Sequence, residues 1–208
     1  MKCQVMDWDE THAMIKDLYL KIKKERYKPD VIIAIARGGF HPARELCDYL
    51  RVKEIESINV EHWGVSATPS SKAKITKKVG VELKGKKVLV VDDISDTGES
   101  LKVTIEYLEE LGPKGIKTAT MQIREGTQFP PDFYVEALDN NNWIIHPWTE
   151  YEDYTQFLLE QTRTEKTMEE IKQGLKEKRG LEISNLEEIL DDMEYWGLIQ
   201  KEGEKWKR

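Results

Sequence analysis

A short apolar segment at residues 31–36, VIIAIA, constrains most strongly what this chain can fold into. An unbroken apolar run with several β-branched residues predicts a short buried strand. The run is followed by an Arg-Gly-Gly turn at 37–39, and Pro42 then marks the beginning of a helix. A strand, a glycine turn and a helix in this order are typical of α/β proteins.

The same alternation continues along the chain. The predicted segments are helices at 9–27, 42–50 and 98–111 and strands at 31–36, 55–60, 87–91, 116–123 and 133–137. This pattern predicts an α/β fold, with an open and mostly parallel sheet and helices on both faces. Ligands of such sheets bind beyond the carboxyl ends of the strands. The glycine turns at 37–39 and 96–98 fall at such ends and are therefore candidate sites.

The composition limits the class of protein. Hydrophobic residues make up 39% and charged residues 34% of the 208 residues, which is typical of a globular protein with a well-solvated surface. We expect a cytoplasmic protein, because the sequence shows neither an apolar run long enough to cross a bilayer nor a secretion signal. Cys3 and Cys47 lack paired spacing, which argues against disulfides and zinc. The net charge of −7 argues against general nucleic-acid binding.

Residues 91–100, VDDISDTGES, contain four acidic groups directly after an apolar strand. Residues 97–100 begin a helix, and the free N–H groups of a helix N-terminus suit a phosphate. The paired carboxylates of Asp92 and Asp93 suit the hydroxyl groups of a sugar or a hard cation such as Mg²⁺. A phosphorylated sugar would satisfy both halves of the segment.

A simpler interpretation of this segment is helix capping. Asp96 would cap the helix together with Glu99, which follows three residues later. Capping would explain these two residues, but it leaves the Asp92–Asp93 pair without a role.

Residues 88–100 resemble the signature of the type I phosphoribosyltransferases, which bind phosphoribosyl pyrophosphate. The signature is an apolar strand, two acids, a short spacer and Thr-Gly-x-Thr/Ser, present here as VLVVDDISDTGES. The resemblance covers about residues 8–160. It implies that Asp92 and Asp93 hold the ribose hydroxyls, with Mg²⁺ bound to them directly or indirectly. It also implies a loop that surrounds the 5′-phosphate, formed by Asp96, Thr97, Gly98, Glu99 and Ser100.

The same resemblance implies a role for the first turn. In the family, the loop after the first core strand binds pyrophosphate and often contains a cis peptide bond that does not involve proline. Arg37, Gly38 and Gly39 occupy this place, so that Arg37 would contact phosphate oxygens and the glycines would offer their N–H groups. Mg²⁺ would bridge the pyrophosphate and the ribose hydroxyls. Asp96 would lie near purine N7 and assist as general base or as a hydrogen-bond partner.

Residues 131–135, PDFYV, followed by residues 143–148, WIIHPW, resemble the hood over the base in 6-oxopurine phosphoribosyltransferases of the xanthine-guanine and archaeal hypoxanthine type. The resemblance implies that Trp143 stacks on the purine and that backbone groups of Ile144 contact its edge. These enzymes usually have a lysine after the penultimate core strand, which donates to the 6-oxo group, and this chain has Arg124 there. The choice among guanine, hypoxanthine and xanthine stays open, and adenine remains an alternative.

Residues 64–80 depart from the α/β pattern, because they contain many lysines and few large apolar groups. We expect either a long mobile loop that closes over the site as a lid, or a disordered insertion without a role. In a lid, Lys72 and Lys74 would help to offset the charge of pyrophosphate.

Residues 164–208 are charge-dense, and the expected domains are therefore 1–163, with a purine hood at 124–150, and 164–208. Helical patterns at 167–178 and 185–196 lead to a short hairpin, the order found at the end of a winged helix. The tail has twelve acidic and nine basic residues, which disfavours contact with DNA through its second helix. We expect a small helical or winged-helix-like extension that serves packing or oligomer formation.

Three functions are implied by this resemblance as hypotheses. The one we favour is a Mg²⁺-dependent purine salvage enzyme that moves the phosphoribosyl group from phosphoribosyl pyrophosphate to a 6-oxopurine. The second is a non-catalytic regulator that senses phosphoribosyl pyrophosphate and uses the tail on nucleic acid. The third is an enzyme of the same fold for another base, such as adenine. We expect a homo-oligomer, a dimer or a tetramer, because this is usual in the family.

Overall fold

The computed structural model describes residues 1–62, 73–139 and 142–208. Its helices are α1 Trp8–Lys24, α2 Phe40–Leu50, α3 Glu99–Glu109, α4 Glu150–Gln161, α5 Met168–Arg179 and α6 Leu186–Tyr195. Its strands are β1 Lys2–Val5, β2 Val31–Ala36, β3 Glu54–His62, β4 Ala73–Lys77, β5 Lys87–Ser95, β6 Gly115–Arg124, β7 Glu136–Leu138, β8 Asn142–Ile145, β9 Lys166–Thr167, β10 Gln200–Glu202 and β11 Lys205–Lys207. Among these described residues, none of the helices is both long and apolar enough to cross a membrane.

The central element is a six-stranded sheet with the strand order β4-β3-β2-β5-β6-β7. Neighbouring strands are parallel except β3 and β4, which pair antiparallel. The predicted open and mostly parallel sheet is therefore confirmed. Because β2, β5 and β6 are parallel neighbours, their carboxyl ends lie along one edge of the sheet. The candidate residues that follow these strands are brought together there.

Both faces of the sheet are buried. On one face, Ile33 and Val90 belong to the same apolar cluster as Leu101 and Leu108 of α3. The alternate residues of β2, such as Ile32, point to the opposite face and are also fully buried. A strand buried on both faces has to be apolar throughout, which explains the unbroken apolar run of β2.

Strand β5 extends further than the sequence predicts. It continues to Ser95, so that Asp92 and Asp93 lie within the strand and not after it. Pairing with β6 explains the extension, since Asp92 lies opposite Thr120 and Ser95 opposite Ile123. The carboxylates are therefore fixed by the backbone ladder of the sheet.

The segment at 64–80 differs in part from the expected loop or lid. Residues 64–72, and Lys72 with them, lie outside the described residues. Residues 73–77, which include Lys74, form β4 and pair antiparallel with β3. The prediction of a loop is therefore wrong for these residues, because their backbone forms the edge strand of the sheet.

Packing divides the chain into two compact units: a sheet unit, residues 9–140, and a terminal unit, residues 1–8 and 141–208. The expected division after residue 163 differs from this one. The reason is α4, whose Leu158 lies in the same apolar cluster as α5 and α6. Strand β1 also belongs to the terminal unit, because it pairs parallel with β8.

The terminal unit has its own core. In chain order, α4, β9, α5, α6 and the hairpin β10–β11 follow one another, and β9 pairs with β11 to give a three-stranded antiparallel sheet. Trp206 of the hairpin is buried with Ile171, Leu175 and Leu190 of the two preceding helices. The two helices followed by a hairpin are in the order that the sequence predicts, and the likeness to a winged helix stays a prediction.

Candidate active site

The turn after β2 packs directly against the end of β5. A side-chain carbon added to Gly38 would lie 2.3 Å from Oδ2 of Asp93. One added to Gly39 would lie 2.3 Å from the carbonyl oxygen of Val91. A larger residue at Gly38 would displace the carboxylate of Asp93, and one at Gly39 would displace the backbone of β2 or β5, which explains both glycines. The structure thus brings together the turn predicted to bind pyrophosphate and an acid predicted to bind ribose.

Arg37 stands at the tip of this turn. Its side chain is exposed, and the peptide bond that joins it to Ala36 is cis. The N–H of Gly39 donates to the carbonyl oxygen of Ile35 at 2.9 Å and closes the turn. An exposed guanidinium at the carboxyl end of a buried strand is well placed to contact an anion from solvent.

Asp92 and Asp93 form a crowded acidic pair near the end of β5. The N–H of Asp93 donates to Oδ1 of Asp92 at 3.0 Å, and the N–H of Ile94 donates to Oδ1 of Asp93 at 2.7 Å. Burial, followed by the charge of Asp93, raises the pKa of Asp92 well above that of an ordinary aspartate. A cation or donating hydroxyl groups would favour the ionised form of Asp92. Sugar hydroxyls and Mg²⁺ both have this property.

The loop after β5 ends at the N-terminus of α3, where the N-cap residue is a glycine and provides no capping side chain. Gly98 is the N-cap residue of α3 and has a φ of 84°, in the left-handed region. The hydroxyl of Thr97 accepts the N–H of Glu99 at 3.3 Å. The alternative in which Asp96 caps the helix is therefore not found. The first turn of α3 is suited to bind an anion through its backbone N–H groups.

Arg124, at the end of β6, is paired with Asp96. Its Nε donates to Oδ1 of Asp96 at 3.0 Å, and its Nη1 donates to the carbonyl oxygen of Asp139 at 2.8 Å. The side chain of Arg124 is 13% exposed and that of Asp96 58% exposed, so the arginine is held while the carboxylate faces solvent. Within the described part of the chain, Nη2 of Arg124 has no hydrogen-bond partner. One nitrogen of the guanidinium is thus left for a ligand.

A second loop, at residues 125–131, supports the loop predicted to bind phosphate. The N–H of Gln128 donates to the carbonyl oxygen of Thr97 at 3.2 Å. A side-chain carbon on Gly98 would lie 2.5 Å from the carbonyl oxygen of Phe129, so the two loops are in direct contact. The sequence does not predict this support. The segment EGTQFPP at 125–131 has no pattern that indicates a contact with residues 97 and 98. The contact depends on β5 and β6 being neighbours in the sheet.

Trp143 and Ile144 belong to the terminal unit, whereas the residues described above belong to the sheet unit. Both lie on β8, where Ile144 pairs with Gln4 of β1. The indole N–H of Trp143 donates to Oδ1 of Asp153 at 3.0 Å, and the residue packs, partly buried, against the apolar cluster of its unit. These contacts give both residues a structural role within the terminal unit. That they contact a base stays a prediction.

The donor set fits a metal ion that arrives with its substrate. Among the described residues, no group of three or more His, Cys, Asp or Glu side chains is arranged to hold a metal. Mg²⁺ does not need such a cage, because it commonly keeps several waters and binds through one or two carboxylates and substrate phosphates. Asp92 and Asp93 supply two such carboxylates.

A comparison with known proteins establishes the family. A family model described as the phosphoribosyl transferase domain matches residues 4–155, almost three quarters of the chain. The chain belongs to this family. The resemblance recognised in residues 88–100 is thereby confirmed, and the protein is a phosphoribosyltransferase.

Three relatives of this phosphoribosyltransferase illustrate the similarity. The xanthine-guanine phosphoribosyltransferase of Nitratidesulfovibrio vulgaris is 30% identical over 155 residues, 74% of this chain and 89% of the relative. That of Gluconobacter oxydans is 29% identical over 141 residues, 68% of this chain and 81% of the relative. The solved structure of a purine phosphoribosyltransferase from Pyrococcus horikoshii is 37% identical, with a TM-score of 0.61, and the match covers 71% of this chain and 94% of that one.

Proposed function

We propose that this phosphoribosyltransferase acts on 6-oxopurines in purine salvage. It moves the 5-phosphoribosyl group from phosphoribosyl pyrophosphate to guanine, hypoxanthine or xanthine, and it releases the nucleoside 5′-monophosphate and pyrophosphate. The main support is the Arg124–Asp96 pair, which joins a hydrogen-bond donor and an acceptor for a base beside the acids of β5. Relatives named as xanthine-guanine and purine phosphoribosyltransferases support the substrate class.

The sugar and its phosphates bind along the carboxyl edge of the sheet. Asp92 and Asp93 accept hydrogen bonds from the ribose hydroxyls. Residues 96–100 surround the 5′-phosphate with N–H groups, and the turn at 37–39 binds the pyrophosphate. The close contact between Gly38 and Asp93 supports this assignment, because pyrophosphate and ribose hydroxyls are adjacent groups of one substrate.

Mg²⁺ is the cofactor of the proposed reaction, held by Asp92 and Asp93 directly or through the ribose hydroxyls. When bound, it offsets the negative charge of the departing pyrophosphate. Removal of Mg²⁺ with a chelator should therefore abolish turnover, and activity that survives in the chelator would reject this part of the proposal.

Asp96 assists the loss of the base proton. During the transfer, the bond from the anomeric carbon to pyrophosphate breaks and a bond to purine N9 forms, while positive charge develops on the ribose. The base gives up one proton, which Asp96 accepts; alternatively, the proton passes to solvent while Asp96 accepts a hydrogen bond from the base at N7. The exposed carboxylate of Asp96, fixed at one oxygen by Nε of Arg124, is suited to this role.

Arg124 favours an oxo group on the base. A guanidinium has five N–H donors and no acceptor. Nε donates to Asp96 and Nη1 to the carbonyl of Asp139, so that Nη2 can donate to the 6-oxo group. The 6-amino group of adenine would present a second donor to Nη2 and leave it unsatisfied. A lysine could not make all three contacts in a fixed plane, and this difference explains why an arginine suits the position.

For the base we also propose stacking on Trp143 and contact with the backbone of Ile144. Both roles rest on the likeness of residues 143–148 to the hood of related enzymes. Stacking on an aromatic ring contributes about 1–3 kcal/mol per base, so Trp143→Ala should raise KM for the purine about tenfold or more. An unchanged KM in a folded variant would remove Trp143 from the proposed site.

A product assay tests the function. The full-length chain is incubated with Mg²⁺, phosphoribosyl pyrophosphate and one of guanine, hypoxanthine, xanthine, adenine, uracil or orotate, and the nucleotide is separated by chromatography. We expect turnover of at least one 6-oxopurine, with kcat/KM for adenine lower by about hundredfold or more. Turnover of adenine, uracil or orotate alone would reject the 6-oxopurine assignment. Binding of phosphoribosyl pyrophosphate without turnover of any base would favour a non-catalytic sensor.

The proposal also includes a homo-oligomer, a dimer or a tetramer, in the cytoplasm. Most soluble oligomers are closed, symmetric assemblies of one chain. Sedimentation velocity of the full-length chain measures the assembly, and a monomer at all protein concentrations would reject it.

A further inference from the structure

Two neighbouring aromatic side chains at the end of α6 lie mostly in solvent. Tyr195 is 77% and Trp196 70% exposed, and Leu198 next to them is 41% exposed. The two rings meet edge to face with their centroids 5.0 Å apart. We call these three residues the aromatic patch. An exposed apolar surface built from contiguous large side chains marks an interaction site, whereas single exposed apolar residues are ordinary.

The buried residues on either side of the aromatic patch fix the patch at the surface. Met193 and Ile199, on either side of it in the chain, are buried. The N–H of Leu198 donates to the carbonyl oxygen of Met193 at 2.9 Å, and Gly197 has a φ of 67°. Such a helix end turns the chain sharply and fixes its direction. The patch is therefore a preformed surface and not a part of the core that has failed to close.

The side of α6 that leads to the aromatic patch is acidic. Glu187, Asp191 and Glu194 recur at helical spacing, and Glu188 lies beside them. All four side chains are exposed, and residues 186–195 contain no Lys, Arg or His. In the part of the chain that the structure describes, Glu187, Glu188 and Asp191 make no ion pair. Their charges are thus available to a partner.

The carboxylates of α6 favour some kinds of binding partner over others. Carboxylates that face phosphates would repel nucleic acid. A symmetric contact with a second copy would bring the same acidic surface of two α6 helices together, which is also unfavourable. A segment rich in lysine and arginine fits best, because its cations can pair with the carboxylates and lie over the faces of Tyr195 and Trp196.

We propose that the acidic side of α6 and the aromatic patch form a docking site for a basic, amphipathic segment of another protein. Apolar side chains of that segment cover the patch, and its lysines and arginines pair with Glu187, Asp191 and Glu194. Tyrosine and tryptophan are the residues that most often dominate the binding energy of an interface. The inference is independent of the proposed purine reaction.

A model peptide tests the surface in the full-length chain. The probe is a fluorescein-labelled peptide of about 14 residues, leucine and lysine arranged as an amphipathic helix, and its binding is read by fluorescence anisotropy. The control peptide has glutamate in place of lysine. We expect the lysine peptide to bind and the glutamate peptide not to bind. A variant with Tyr195→Ala and Trp196→Ala should bind the lysine peptide about tenfold more weakly or worse.

A matched pair of charge variants separates docking from general attraction to an acidic protein. The test variant loses three carboxylates of α6: Glu187→Gln, Asp191→Asn and Glu194→Gln. The control variant loses three exposed carboxylates at the end of α3: Glu106→Gln, Glu109→Gln and Glu110→Gln. We expect the test variant to bind the lysine peptide about tenfold more weakly and the control variant to stay within about twofold of the unchanged chain.

Several outcomes would overturn the proposal. These are equal weakening by the test and control variants, undiminished binding without the two aromatic rings, and no preference for the lysine peptide over the glutamate peptide. Self-association in sedimentation that Trp196→Ala abolishes would instead make the surface an interface between copies. Binding of duplex DNA that the aromatic variant loses would make it a nucleic-acid surface. Circular dichroism of each variant verifies that the fold is retained.

Discussion

The Nε–H of Arg124 donates to the carboxylate of Asp96 at 3.0 Å, and this contact joins the ends of the neighbouring strands β6 and β5. It connects the residue that we propose for recognition of the 6-oxo group with the residue that we propose for the base proton. One guanidinium would therefore couple base recognition to proton transfer, and a change at either residue should affect both steps.

Replacement of Arg124 with lysine tests this coupling. Lysine keeps the charge, but it cannot donate in one plane to Asp96, to the Asp139 carbonyl and to a base. We expect kcat/KM for the preferred 6-oxopurine to fall about tenfold to hundredfold, while the affinity for phosphoribosyl pyrophosphate changes less than about threefold. Initial rates at varied base concentration and calorimetric titration measure the two effects. An unchanged kcat/KM would show that the third contact is not used.

Asp96→Asn should slow turnover and leave the binding of phosphoribosyl pyrophosphate largely intact. An amide keeps the shape of the side chain but does not accept a proton, and general base catalysis typically contributes about 10²–10⁴ to the rate. Asp139→Asn is the matched control, because Asp139 contacts Arg124 through its backbone carbonyl, which the substitution retains. Equal rates for Asp96→Asn and the unchanged enzyme would reject the role of Asp96.

Gly38→Ala should damage both binding and stability. The added carbon would lie 2.3 Å from the carboxylate of Asp93, so the turn or this carboxylate has to move. We expect a loss of about 1–3 kcal/mol in the free energy of unfolding, and affinity for phosphoribosyl pyrophosphate lower by about tenfold or more. Gly115→Ala is the control, because nothing lies within 4 Å of a carbon added there. Denaturant unfolding and ligand titration distinguish the two, and similar behaviour of both variants would contradict the steric argument.

Asp92→Asn should change the stability of the protein in a pH-dependent way. Burial and the charge of Asp93 raise the pKa of Asp92 in the folded protein, so its stability contribution is present at low pH and is lost as the pH rises through that folded pKa. Without substrate and in a chelator, the variant should melt at a higher temperature than the unchanged protein at about pH 8, and the difference should shrink toward about pH 4. Thermal melts across this range measure it. A variant that is less stable at about pH 8 would contradict the expectation.

The sequence predicts the sheet better than it predicts the contacts of the site. Strand β2 and the first part of β5 are unbroken apolar runs, and glycine turns mark where the candidate residues follow. The Arg124–Asp96 pair, by contrast, joins residues 28 positions apart. Its prediction requires that β5 and β6 be neighbours, which depends on the pairing of whole strands and not on any local pattern.

The sequence predicts the terminal unit less completely, for a similar reason. The helical patterns of α5 and α6 are visible because their apolar residues recur at helical spacing. Strand β1 is short and mostly exposed, so no alternation indicates it, and its partner β8 is far away in the chain. Helix α4 shares a core with α5 and α6, and this packing could be recognised only with all three helices in place.

The pairing of β1 with β8 has a consequence for the order of folding during synthesis. Lys2 is synthesised 140 residues before its partner in the ladder, Asn142. The sheet unit can fold in the interval, while the backbone of β1 stays unpaired. Trp206, which lies in the core of the terminal unit, emerges later still. A nascent chain released before that point would therefore carry a folded sheet unit joined to a terminal unit that is still unfolded and prone to aggregation.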